Sequence, residues 1–354
     1  MQRLLPIVAP SPKERRELYS ICLENVDEVE TWLPDWFTLR SDPKSHPKLD
    51  NICRDNVAEW ISWAFFSSSL EDVLQDDTSN EELQYMIDHF ESEFHIQFDL
   101  GYSEDIISHR INLDPVHAYH RPLAFYACIM FLTTLFRFLL QFVWGMKKYG
   151  PDRKSTLWEP MDSQERSYER LSIKNVPEKI SYWFRDGDRS KKPIVFVHGV
   201  GVGLMSYITF IASLLQSTDS PIFFIELPWV SMHCVEEIPT MQETVDDIHK
   251  MLNHHGFDSV VFIGHSLGTS IISWPDVPHH AHSYTHSVKM PENTTVYLSG
   301  KDNIIDSTRV DTYLTHNGIN SVFMKDLDHA SFLFAPKWQK EIISTIVLYS
   351  NQKV

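Results

Sequence analysis

The stretch Val260-Val261-Phe262-Ile263-Gly264-His265-Ser266-Leu267-Gly268 limits what this chain can fold into more than any other. An apolar, β-branched run ends in Gly-x-Ser-x-Gly and passes at once into Thr269-Ser270-Ile271-Ile272-Ser273-Trp274. A buried strand must therefore turn sharply into a helix. Where the two backbones nearly touch, a Cβ would clash, so glycine is required. A serine on such a turn holds its hydroxyl above a parallel sheet, beside a helix N-terminus. Taken alone, the same residues also suit a tight turn carrying a solvated serine.

At 354 residues, the chain has room for two domains or one large α/β domain. Its net charge of -17 argues against nucleic acid and anionic headgroups as partners held by bulk electrostatics. The acidity is concentrated between Glu71 and Asp105, where twelve carboxylates occur without a lysine or arginine, most simply as a solvated helical face. Cys22, Cys53, Cys128 and Cys234 lie far apart, which suits free thiols in a reducing, intracellular compartment. Met1–Pro10 is broken by Pro6 and Pro10 and is too short for the apolar core of a secretion signal.

Along the chain, residues 11–110 read as helical, with apolar residues at three- and four-residue spacing in Lys13–Trp36 and Arg54–Phe66 and an acidic amphipathic helix at Glu81–Phe94. Pro122–Met146 differs. Twelve of its residues are Leu, Ile, Phe or Val, and Lys147 and Lys148 close it. Those twelve contribute roughly -5 kcal/mol toward bilayer insertion, against about 2.5 to 3.5 for Arg137. The balance permits insertion without requiring it. Three readings follow: a membrane-embedded or interfacial helix, a core or cap helix against the next domain, and a partner interface. Residues 1–148 thus form an expected helical region, and polar 149–164 a linker. From about Glu165, strands alternate with helices, the pattern of a mostly parallel α/β sheet. Expected strands are Ser167–Ile173, Lys179–Phe184, Pro193–Val197, Pro221–Ile225 and Thr294–Ser299. Expected helices are Leu204–Leu215, Thr240–His254 stopped by Gly256, and a last one from Pro336.

Strand-His198-Gly199-Val200-Gly201, then Gly264-His265-Ser266-Leu267-Gly268, then Gly300-Lys301-Asp302, then Asp328-His329-Ala330 together resemble the α/β-hydrolase superfamily over roughly residues 165–354. The N-terminal region resembles that of membrane-associated fungal α/β-hydrolases, without a motif of its own. The resemblance implies an α/β-hydrolase fold, Ser266 as nucleophile, Asp302 as acid, His329 as base, and the backbone N–H groups of Val200 and Leu267 as an oxyanion hole. The residues support the same chemistry on their own terms. A serine needs a base, imidazole serves near neutral pH, and a carboxylate fixes its tautomer. Asp302 lies just past an expected strand end, 27 residues before His329; Asp306 is the runner-up acid. Gly199, Gly201 and Gly203 lack the lysine of a phosphate-binding loop and the spacing of a dinucleotide fingerprint, so no cofactor is expected. His279, His280, His282 and His286 fall in a proline-bounded stretch that offers a metal little second-shell support, and no metal site is expected.

One departure stands out. The 27 residues from Leu267 to Asn293 suffice for one crossover but not for two plus a cap, and 275–293 holds no apolar strand run. Loss of one strand would shift the acid by one sheet position, about 4.8 Å. The leading expectation is a serine hydrolase of carboxylic esters or thioesters, with a small-molecule or lipid-like acyl substrate and membrane association through 122–146. The alternative is a catalytically impaired, membrane-associated protein that keeps the fold for a structural or binding role. Peptidase activity has no support beyond the shared triad.

Overall fold

The computed structural model describes residues 10–24, 26, 28–111, 113–114, 121–150, 177, 179–232, 235, 238–273 and 293–352. Contacts divide the chain into two units. Of the described residues, 10–114 fall in the first and 121–352 in the second.

In the first unit, α1 (Pro12–Glu24), α2 (Val29–Trp32), α3 (Arg54–Phe66), α4 (Leu70–Gln75) and α5 (Asp77–Phe94) share one core, while β1 (Phe37–Leu39) pairs antiparallel with β2 (Ile106–Ser108). The helix expected over 13–36 stops at Glu24, and the chain resumes as α2 and a 3-10 turn at Pro34–Trp36. The acidic stretch is not simply solvated. Glu82 is buried against Arg15, and Arg54 pairs with Asp88 and Glu91, because each buried or half-buried charge requires a partner.

In the second unit, β3 (Lys147–Tyr149), β4 (Ser181–Arg185), β5 (Ile194–Val197), β6 (Ile222–Glu226) and β7 (Val261–Gly264) form one sheet in the order β3-β4-β6-β5-β7. β4 runs antiparallel to β3 and β6; β5 runs parallel to β6 and β7. The two-residue period of a strand splits its side chains between two cores. Ile194, Phe196, Ile222 and Phe224 join Phe210 and Leu214 of α7 (Ile208–Ser217) and Ile343 and Ile346 of α11 (Pro336–Ser350). Val195, Val197, Phe223 and Ile225 join Ile248 and Met251 of α8 (Met241–His255) and Ile271 of α9 (Leu267–Ser273). α8 begins in a capping box between Thr240 and Glu243 and, as the sequence implies, ends on Gly256, at φ +74°. Two of the four pairings are parallel and two antiparallel, and the elbow strand β7 lies beside β5, as the expected α/β-hydrolase fold places it.

α6 (Leu123–Phe138) continues into a π-helical turn, Leu139–Val143, and both belong with this sheet. Phe136 and Leu140 are buried in the first of the two cores, and Lys147–Tyr149 is a strand. The sequence reading grouped residues to 148 with the N-terminal helices, because a run apolar on most sides does not name the surface it packs on. β8 (Thr295–Ser299) and β9 (Asn320–Met324) pair in parallel with each other and not with β7. Residues 274–292, which hold the four clustered histidines and the missing-strand question, lie outside the described residues, as do the expected strand 167–173, most of the expected linker, and Cys234.

Candidate active site

Ser266 follows β7 at φ +54°, in the left-handed region that a non-glycine residue adopts at a cost. Close packing holds it there. A Cβ on Gly264 would lie 2.7 Å from the Gly268 carbonyl oxygen, and one on Gly268 would lie 2.3 Å from that of Val197. A Cβ on Gly199 would lie 2.8 Å from the Ser266 Cβ, so the loop after β5 passes directly against the elbow. Leu267 opens α9, which leaves its N–H without an intrahelical acceptor. Among the described residues, neither the Leu267 nor the Val200 N–H has a hydrogen-bond acceptor.

Two histidines and a tyrosine brace this loop. His198 is buried; its Nδ1 lies 2.8 Å from the Gly199 carbonyl, and its Nε2 accepts the Leu227 N–H at 3.0 Å. The ring is therefore a neutral crosslink between the loops that follow β5 and β6. Tyr207 accepts the Gly199 N–H at 3.0 Å, and its hydroxyl lies 2.7 Å from His265 Nδ1. Burial, with a further push from His329, lowers the pKa of His265 from 6.5 to about 4, against the pull of Asp302. His265 is thus neutral near pH 7 and ready to accept from Tyr207. The sequence reading passed over both residues. His265 is an unconstrained position of Gly-x-Ser-x-Gly, and Tyr207 sits in a helix start with nothing local to mark it.

Asp302 and His329 arrive from elsewhere. Asp302 follows β8, and His329 follows β9 on the loop before α11. The Asp302 Oδ2 lies 2.8 Å from His329 Nδ1, and Oδ1 accepts the N–H groups of Ile304 and Ile305 at 2.8 and 3.3 Å. The carboxylate is 4% exposed. Burial would raise its pKa, but the His329 hydrogen bond and the two backbone donors outweigh it and hold the group below the usual carboxylate range. Asp306, the other candidate acid, caps α10 (Ser307–His316) by accepting the Thr308 and Arg309 N–H groups. The His329 ring is centred 5.2 Å from that of His265, the residue preceding Ser266. Acid and histidine are therefore brought together and set beside the elbow. No hydrogen bond joins Ser266 to His329 among the described residues; catalytic hydrogen bonds often tighten only with substrate in place. Among the described residues, no group of three or more His, Cys, Asp or Glu side chains could hold a metal ion.

No family model matches the chain, and no curated protein does. Among solved structures, the chain is similar to a Pyrococcus furiosus esterase at 13% identity, over 57% of this chain and 99% of that one, with a TM-score of 0.38. It is also similar to a carboxylesterase of the ammonia-oxidizing thaumarchaeon Nitrososphaera gargenis, at 16% identity over 52% of this chain and 98% of that one, with a TM-score of 0.37. A third, an alpha-beta serine hydrolase homologue from Coxiella burnetii, shares 13% identity over 48% and 91%, with a TM-score of 0.34. The chemistry of this site therefore rests on the chain's own geometry.

Proposed function

We propose that this chain is a serine hydrolase that cleaves carboxylic esters or thioesters through an acyl-enzyme. The observation that carries the reading is the preformed Asp302–His329 pair, 2.8 Å between heavy atoms, beside a serine held at φ +54° on a strand-to-helix turn. Asp302 engages Nδ1 of His329, which leaves Nε2 to take the Ser266 proton as the hydroxyl attacks the carbonyl. The Val200 and Leu267 N–H groups receive the developing oxyanion, each donor worth on the order of 3 kcal/mol. His329 returns the proton to the leaving group, and water then releases the acid by the same route.

A lipid-like substrate and a membrane surface are part of the reading. Leu123–Val143 has 21 residues and a mean hydropathy of 2.0, yet only 11% of it is buried. Its ionisable residue Arg137 turns toward Glu226, while Leu123, Phe131, Leu135 and Phe142 face outward. Because Phe136 and Leu140 pack into the sheet's core, a helix lying on the bilayer fits better than one crossing it. Cys22, Cys53 and Cys128 are free thiols, in keeping with an intracellular setting. The second reading, a binding protein without catalysis, is favoured by the missing hydrogen bond between Ser266 and His329. A fluorophosphonate probe separates the two. Labelling of the wild type that vanishes in Ser266→Ala supports the hydrolase, and no labelling, or equal labelling of both, supports the binding protein. Full release from membranes by carbonate would defeat an embedded helix, and failure to float with vesicles would defeat the surface-bound one.

A further inference from the structure

Thr133 and Thr134 are neighbours on α6 with opposite fates. Thr134 is half-buried, and its hydroxyl donates to the Met130 carbonyl at 2.8 Å. Thr133 is 9% exposed, and its hydroxyl has no hydrogen-bond partner among the described residues. It opens on a small cleft walled by Phe136 and Arg137 of α6, the loop Val202–Met205, and Glu226 with Pro228 after β6. Arg137 Nε is buried there without a hydrogen bond, since its nearest acceptor, Glu226 Oε1, is 3.6 Å away. One buried hydroxyl without a partner among the described residues, beside a guanidinium that meets its carboxylate too far away for a hydrogen bond, requires an explanation.

Glu226 has other partners besides Arg137. It accepts the Trp183 indole N–H at 2.9 Å and the Ser181 hydroxyl at 3.1 Å, and it pairs with Lys148 at 3.2 Å. The cluster holds two cations, Arg137 and Lys148, against one carboxylate, an excess of one positive charge in a half-buried setting. A small cleft with that charge, an unpartnered hydroxyl and a guanidinium not yet in hydrogen-bond range of an acceptor suits one planar, anionic, acceptor-rich group. The geometry points to a carboxylate carried by the ester substrate, with Thr133 and Arg137 as specificity-determining residues that donate to it. This rests on the hydrolase reading. The cleft and the elbow share one loop: Gly199 lies against Ser266, and Gly203, four residues on, lines the cleft.

The test compares the wild type with Thr133→Val on a neutral p-nitrophenyl ester and on its carboxylate-ended counterpart, p-nitrophenyl succinate. A preference of the wild type for the succinate in kcat/KM that falls about 10-fold in Thr133→Val, through KM, is the expected result. Arg137→Lys keeps the charge but loses the Nε–H, and gives the same direction should Thr133→Val fail to fold. Thr134→Val keeps the wild-type ratio. An unchanged ratio in both cleft variants overturns the inference, as does the absence of a preference in the wild type. Succinamate, which carries the carboxylate but no ester, probes the cleft independently of catalysis. A dose-dependent rise in melting temperature of the wild type that is lost in Thr133→Val supports the subsite even in an inactive protein; no rise in the wild type overturns it.

Discussion

The serine and its partners reach the site on two differently built supports. Ser266 follows β7, itself half-buried, at the edge of a five-stranded sheet whose β5 is buried at every position and β6 at all but its last. Asp302 and His329 come from β8 and β9, which are half-exposed over much of their length and, among the described strands, pair only with each other. What ties the second support to the first is α11. Tyr297 and Thr295 of β8 bond to Thr345 and Tyr349 of α11 at 2.8 and 2.6 Å, and the other side of α11 packs Ile343 and Ile346 into the core beneath the sheet. The acid and histidine are thus registered against the serine through a helix rather than through a strand ladder.

The largest effects belong to the residues where the two supports meet. Ser266→Ala or Asp302→Asn lowers kcat by about 10⁴-fold with folding intact, as read by ester hydrolysis and circular dichroism. Gly268→Ala attacks the first support alone. Its new Cβ meets the Val197 carbonyl at 2.3 Å, and the variant loses several kcal/mol of stability in urea titration, whereas Gly256→Ala, with open space but φ +74°, loses about 1 kcal/mol. Ile343→Ala on α11 and Ile248→Ala on α8 each cost about 2 to 5 kcal/mol. Per folded molecule, Ile343→Ala also lowers activity, while Ile248→Ala does not; equal activities would break the contrast between the two supports. Removing the pair Tyr297 and Thr345 by Tyr297→Phe with Thr345→Val gives a smaller loss, about 10-fold in kcat.

The smallest effect is on pH stability. Burial first, and then the neighbouring His254, lowers the pKa of His255 to about 4, as burial and His329 do for His265. The unfolded chain protonates these rings first as the pH drops below 6.5. Their contribution is therefore whole above pH 6.5 and is lost as the pH falls toward 4. His265→Gln flattens the fall in melting temperature over that window; an unchanged slope would exclude His265 as a contributor.

Much of the second unit was legible in the sequence because its signals are local. Strand runs such as Ile194–Val197, Gly256 and the elbow glycines each act within a few residues. So was the spacing that brings Asp302 to His329. The rest depends on contacts distant in sequence. Nothing around Arg137 or Lys148 announces Glu226 as their partner, so the face on which α6 packs was hidden. The bracing of the Gly199 loop by Tyr207 and His265 is likewise a product of the fold.

The most direct measurement is rapid mixing with a p-nitrophenyl ester, followed by intact-mass analysis of the quenched protein. The account predicts a burst of p-nitrophenol equal to the enzyme, with the acyl group found on Ser266 and no burst in Ser266→Ala. Turnover without an acyl adduct on Ser266, or a burst that survives Ser266→Ala, would contradict it.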